Sequence, residues 1–413
     1  MDYFFGKHIA YQIMAKPVGA RCNLNCKYCY YLEKKNLYKD GHISLMTESV
    51  LEKFIKQYIQ SQSAPVVSFV WQGGEPMLAG LEFYRAAVEY QKYYGAGRHI
   101  WNAFQTNGTL INEDWCKFFK QHRFLVGISI DGPERIHDHY RLNLHEDGTW
   151  KKVMKGIRLL QDYQVDFNTL SVINKFNAGY PLEIYSFLKS IGSKYHQYIP
   201  IVEQSVTEDN HYPLSLVSPD YIGKTRITDW SVSPEQYGDF YIQIFDHWVR
   251  NDVGSVFVQM FDVMLANWVG EPCGLCVFDA TCGNAAVIEH NGDVYSCDHY
   301  VYPENLLGNI LTESLIEIML SKKQQSFGAK KRDALPDFCL NCEYLSLCNG
   351  ECPKNRIAKT PAGEKGLNHL CPGLKRLFKH VTPYMNFMAN ELKHKRAPAN
   401  VMGWALQRNY KLR

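Results

Sequence analysis

Cys22-Asn23-Leu24-Asn25-Cys26-Lys27-Tyr28-Cys29-Tyr30 closely follows the apolar run Ile9–Ala15. The run reads as a β-strand, and the cysteines behind it are spaced C-x3-C-x2-C. Three thiolates hold three corners of a [4Fe–4S] cube and leave the fourth iron open to a small molecule. Ligation by four thiolates suits a cluster that only carries electrons; an open iron suits chemistry on a bound ligand. A structural zinc site is the competing reading, but zinc favours four ligands, usually in paired CxxC halves. No further cysteine lies between Cys29 and Cys116, and His42 falls outside the usual offset.

Working outward, residues 9–202 alternate strand-like and helix-like segments. The strand candidates are Ile9–Ala15, Val66–Trp71, His99–Gln105, Phe124–Ile130, Asp166–Ile173 and Tyr195–Pro200. Amphipathic patterns lie between them at Glu48–Ile59, Glu82–Tyr93, Glu113–Gln121, Trp150–Asp162 and Leu182–Ile191, with Thr47 placed as an N-cap. This alternation predicts an α/β fold with a parallel sheet and right-handed crossovers, either open and doubly wound or an incomplete barrel. Ligands of such folds sit at the carboxyl ends of strands. The segments Gln72–Pro76, Thr106–Gly108, and Ser129 with Asp131–Pro133 follow strands in the same way, so they are expected beside the cysteine loop.

Residues 203–233 read as an irregular linker or loop, and Ser233-Pro234-Glu235 starts a helix running to about Arg250. From Cys273 the texture changes to short segments and turns. Nine cysteines lie there: Cys273, Cys276, Cys282, Cys297, Cys339, Cys342, Cys348, Cys352 and Cys371. Cys116 stands apart on a helix and reads as a small buried residue. A final helix is expected over Lys375–Lys393. The implied division is 1–233, a helical connection 234–269, a cysteine-rich unit 270–372, and a C-terminal helix with a basic tail 373–413.

The chain has 413 residues, enough for two or three domains. Its net charge of +3 gives no support for a polyanionic partner, so nucleic-acid binding is not expected. The N-terminus lacks a secretory pattern and no apolar run reaches membrane-spanning length, so no membrane is expected and the location is read as cytoplasmic. Thirteen cysteines in a reducing compartment are then not read as disulfides, and most fall in two groups with the short spacings of metal or cluster ligands.

Gln72-Gly73-Gly74-Glu75-Pro76 lies just past a strand. Paired glycines let backbone approach a ligand and expose N–H donors, and Glu75 is placed to meet an ammonium group. An ordinary strand-to-helix turn is the alternative. Together, the cysteine spacing, Tyr28 before the third cysteine and the Gln72–Pro76 segment resemble the radical S-adenosylmethionine enzymes. That resemblance implies a partial (β/α)6 barrel whose open iron binds S-adenosyl-L-methionine. The distal cysteines resemble the SPASM extension, a small loop-rich domain holding two auxiliary [4Fe–4S] clusters. Local spacing alone would group Cys339, Cys342, Cys348 and Cys352, and a pair of zinc ribbons is the competing reading. The resemblance implies interleaved sets instead: Cys276, Cys282, Cys297 and Cys352 for one cluster, and Cys339, Cys342, Cys348 and Cys371 for the other. Three [4Fe–4S] clusters are therefore expected.

Within that group, Trp71–Phe83, Gln105–Leu110, Ser129–Pro133 and Cys297–Tyr300 are similar to the anaerobic sulfatase-maturating enzymes. The similarity implies oxidation of a Cys or Ser in an unfolded sulfatase to Cα-formylglycine through a 5′-deoxyadenosyl radical, with an electron donor as second partner. It assigns contacts to S-adenosylmethionine to Tyr28, Gly74, Ser129, Arg141 and Val202. Asp298 becomes the proton acceptor, and Tyr31 and Gln72 fall near the peptide path. A turn-capping role is the alternative for Asp298, and His299 departs from the aromatic expected there. Two other functions remain open at this point: a SPASM peptide maturase making thioether or carbon–carbon crosslinks, and a zinc-stabilised binding protein without catalysis.

Overall fold

A computed structural model describes residues 10–38, 45–207, 214–272 and 274–411. Ile9, His42 and Cys273 lie outside the described residues. Six parallel strands form in chain order: β1 (Gln12–Lys16), β2 (Val66–Trp71), β3 (His99–Thr106), β4 (Leu125–Ser129), β5 (Phe167–Ile173) and β6 (Tyr195–Pro200). Each is hydrogen-bonded to the next, with a helix between every pair. β1 and β6 do not meet, so the fold is a partial (β/α)6 barrel.

The local reasons are ordinary. Thr47 Oγ1 accepts from Val50 N at 3.3 Å and caps helix Glu48–Ser61. Asn112 does the same for helix Glu113–Gln121, whose Cys116 is fully buried. Phe54, Trp71, Tyr84 and Phe104 pack edge-to-face in turn, and Phe69 stacks parallel to Trp71. Trp71 Nε1 meets Asn102 Oδ1 at 2.8 Å, so the one polar atom of this buried ring is satisfied.

The described residues of 203–207 and 214–233 are more regular than expected. They contain an antiparallel pair, β7 (Gln204–Val206) and β8 (Thr225–Ile227). After helix Pro234–Asn251, the short β9 (Phe257–Val258) adds to β6. The cysteine-rich region then returns to the far edge of the barrel sheet. β10 (Ala285–Glu289) pairs parallel with β1, placing Glu289 opposite Lys16. β11 (Asp293–Tyr295) and β12 (Leu306–Asn309) follow antiparallel, giving a ten-stranded sheet among the described residues.

Helix Cys371–Lys393 packs on helix Pro234–Asn251 through two glycines. A Cβ at Gly373 would lie 1.9 Å from Pro234 O, and one at Gly238 would lie 2.9 Å from Gly373 Cα. Only glycine permits that approach, and it fixes Cys371 at the first turn of the helix. The expected basic tail is helical from Val401 to Lys411. Val401 and Ala405 are buried, and Trp404 stacks on Phe387 at 4.9 Å.

Candidate active site

The loop after β1 is built by its neighbours. Gln72 N donates to Ala15 O, Gly74 N to Gly19 O at 2.8 Å, and Glu75 N to Arg21 O at 2.9 Å. The loop after β2 is thus zipped onto the approach to Cys22. This corrects the sequence reading of the glycines. Their close approach is to the cysteine loop's own backbone: a Cβ on Gly74 would lie 2.1 Å from Arg21 O, and Gly73 sits at φ +136°. With its N–H committed, Gly74 has its carbonyl and Cα left for a ligand. Gly74→Ala is expected to destabilise the chain by about 1–3 kcal/mol or more, read as a lower thermal midpoint together with incomplete iron loading.

Glu75 is likewise not free for an ammonium group. It is fully buried, with Oε1 accepting from Met77 N (3.0 Å) and Thr106 Oγ1 (2.8 Å), and Oε2 from Asn107 N (2.8 Å). Burial raises its pKa to about 7 despite these donors. Asn107 in turn reaches Asn23 Oδ1 at 2.9 Å and Cys22 Sγ at 3.8 Å. On the other side, Asn25 N and Lys27 N donate to Leu142 O and Tyr140 O. The loops behind β1, β2 and β3 and the segment after β4 therefore converge, as their positions implied.

That last segment carries Arg141. Its Nη1 donates to Tyr28 Oη at 3.0 Å, and Tyr28 Oη donates to Asp131 Oδ2 at 2.6 Å. Asp131 Oδ1 is held by Val172 N. The Tyr28 phenol is therefore a structural strut beneath Cys26. Arg141 is buried, yet its Nε has no partner. Gln72 Oε1 is also buried without one. An orphaned guanidinium N–H within electrostatic reach of Cys26 and Cys29 fits an anionic ligand bound at that point. Ser129 Oγ, at the end of β4, accepts from Gln105 Nε2 at 3.0 Å. Val202 is buried, and its carbonyl accepts from Lys354 Nζ at 2.7 Å.

Cys22, Cys26 and Cys29 lie within electrostatic reach of one another. Burial pushes the Cys22 thiol up to about 12 and Cys26 to about 11. The distal cysteines separate into two groups in space. Cys297 lies near Cys276 and Cys282, and Cys352 lies near Cys297. Cys348 lies near Cys371 and Cys339, and Cys371 near Cys339 and Cys342. Cys352 thus lies toward Cys297, and Cys371 toward Cys339 and Cys342. Backbone N–H groups of Leu24, His299, Gly350 and Lys354 point at Cys22, Cys297, Cys348 and Cys352. Sets of three, four and four thiols met by N–H donors fit one open and two fully ligated cubes.

Asp298 follows Cys297, and β10 brings it back to β1. Oδ1 pairs with Lys16 Nζ and Oδ2 accepts from Tyr30 Oη. The Lys16 side chain is 1% exposed, and its ammonium also lies 3.3 Å from the Tyr31 ring centroid. Tyr31 Oη donates to Glu289. Burial would raise the Asp298 carboxyl, but Lys16, His299 and Tyr30 outweigh it and hold it below the usual carboxylate range. Lys16, Tyr30 and Glu289 escaped the sequence reading. The available signal was Lys16 itself, a charge ending an apolar strand at the face where parallel-sheet sites form.

A partial barrel carrying a three-thiol loop, with a second cysteine-rich region folded onto its edge, defines a radical S-adenosylmethionine protein with an iron–sulfur extension. Family models agree: one described as the radical SAM superfamily matches residues 17–188, and the SPASM iron-sulfur cluster-binding domain matches 276–343. The chain is 51% identical over 390 residues to a serine-type anaerobic sulfatase-maturating enzyme of Bacteroides thetaiotaomicron, covering 94% of each. It is 32% identical over 388 residues to a cysteine-type enzyme of Clostridium novyi, covering 93% of this chain and 98% of that one. The structure of native anSMEcpe with bound AdoMet and Cp18Cys peptide superposes with a TM-score of 0.80 at 31% identity, covering 92% of this chain and 99% of that one. The chain belongs to the anaerobic sulfatase-maturating enzymes. It is an oxidoreductase that converts Cys or Ser to Cα-formylglycine, using S-adenosylmethionine and [4Fe–4S] clusters.

Proposed function

We propose that this chain acts on serine in an unfolded sulfatase segment, and on cysteine at the same position. The observation that carries the serine reading is the 51% identity to a serine-type enzyme, against 32% to a cysteine-type one. Cysteine follows from acidity: a base able to take a hydroxyl proton takes the more acidic thiol proton as well. Cys22, Cys26 and Cys29 hold the open cluster. Cys276, Cys282, Cys297 and Cys352 hold one auxiliary cluster, and Cys339, Cys342, Cys348 and Cys371 hold the other. When bound, the open cluster and S-adenosylmethionine supply a 5′-deoxyadenosyl radical that takes a hydrogen atom from the substrate Cβ.

The chain's own residues do the rest. Arg141 offers its unpaired Nε to the carboxylate of S-adenosylmethionine, with Tyr28 and Asp131 fixing the guanidinium. Gly74, Ser129 and Val202 complete that pocket. Tyr31 and Gln72 border the peptide. Asp298 accepts the hydroxyl or thiol proton, and Lys16 keeps it ionised in a buried place. The partners are an unfolded sulfatase peptide and an electron donor. The location is read as cytoplasmic, and among the described residues no helix is long and apolar enough to cross a membrane.

The test is anaerobic incubation of the reconstituted chain with paired Ser and Cys sulfatase peptides, read by mass spectrometry and an aldehyde-specific probe. The Ser peptide is expected to lose two hydrogens. The Cys peptide is expected to lose two hydrogens and exchange sulfur for oxygen. Both products react with the probe, whereas a thioether crosslink does not. Conversion of the Cys peptide alone would overturn the serine assignment.

A further inference from the structure

Helix Lys322–Asp333 has the sequence KKQQSFGAKKRD and lacks the apolar stripe by which helices normally dock. Its buried positions are nevertheless regular: Gln324, Gly328 and Lys331 share one face at i, i+4 and i+7. Gln324 Nε2 donates to Gly283 O at 2.9 Å and to Ser296 O at 3.3 Å. Gly328 O accepts from Cys282 N at 3.1 Å, and a Cβ at Gly328 would lie 2.5 Å from Cys282 O. Lys331 Nζ donates to Cys276 O at 2.7 Å and Val277 O at 2.9 Å. Every member of the stripe therefore grips backbone at or beside Cys276, Cys282 or Cys297.

Lysine is among the residues least often fully buried, yet Lys331 is 1% exposed. Carbonyl dipoles satisfy its donors without cancelling its charge. That charge acts on Cys276 and Cys282. Asp279 and Glu351 act on the same two thiols in the opposite sense. A four-thiolate cluster becomes one unit more negative on reduction, so a fixed buried cation favours the reduced form.

We propose that Lys331 sets the reduction potential of the auxiliary cluster held by Cys276, Cys282, Cys297 and Cys352, raising it above what those thiolates alone give. The polar helix is the mount that holds the charge there. This rests on the ligand grouping proposed above.

The test uses the full chain, reconstituted anaerobically, with iron and sulfide analysis and a redox titration followed by electron paramagnetic resonance. Lys331→Gln keeps an N–H donor for the two carbonyls and removes the charge; Lys331→Arg keeps the charge. With Gln, one auxiliary signal is expected to move to more negative potential while the other two clusters stay in place. With Arg, all three are expected to titrate as in the parent. A fully loaded Gln variant with three unmoved potentials overturns the proposal. So does loss of the same cluster from both variants, which would make Lys331 a purely structural tie. The ligand grouping fails separately, if Cys282→Ala retains all of its iron.

Discussion

Cys26→Ala is expected to yield no 5′-deoxyadenosine and no formylglycine, with iron falling from ~12 to ~8 per chain, one cube of three. The loop keeps its path without the thiol, because backbone bonds on both sides of Cys26 hold it: Asn25 N to Leu142 O and Lys27 N to Tyr140 O. Gly74 and Glu75 fasten the approach to Cys22 independently. Cys26 is itself only half-buried, so the truncation leaves no large cavity. The distal thiols sit on other elements, and their eight irons are expected to stay. Cys116→Ala is the matched control. That thiol is fully buried on the helix Glu113–Gln121, so its loss lowers thermal stability and leaves iron and product unchanged. Continued 5′-deoxyadenosine formation by Cys26→Ala would remove the triad from the reaction.

The triad and the barrel were legible for the same reason: both are local in the chain. Strand limits observed at Val66–Trp71 and Tyr195–Pro200 match the apolar runs, because each parallel strand is flanked by helices of a clear 3.6-residue period. The loop convergence followed from the rule that sites form at strand carboxyl ends. What stayed hidden was non-local. Lys16 and Asp298 are 282 positions apart, and only the pairing of β10 with β1 joins them. β10 is five residues long, in a stretch dominated by turns. The glycines at 73 and 74 announced a close approach without naming the partner. Helix Lys322–Asp333 left no periodic signal, since its buried face is Gln, Gly and Lys.

Asp298→Asn is expected to lower formylglycine formation by about 10²- to 10⁴-fold, the span of a lost general base. Iron content is expected to stay at the parent value, and 5′-deoxyadenosine still forms, now without product. The substitution is nearly isosteric, so its effect is on charge. It leaves the Lys16 ammonium buried opposite an amide, and breaking a buried pair in this way costs roughly 3–5 kcal/mol. The carboxyl's pKa is depressed in the folded state. The stability it contributes is therefore present above its unfolded pKa and lost only as pH falls through the depressed value. At neutral pH the full cost of Asp298→Asn is expected in thermal unfolding. Stability and catalysis are separable by the double variant Lys16→Met/Asp298→Asn, which removes both charges. Its thermal midpoint is expected to recover most of the loss, while formylglycine stays at the level of the single variant. Recovery of product together with stability would mean that Asp298 acts only as the partner of Lys16, and the proton acceptor would have to be sought elsewhere.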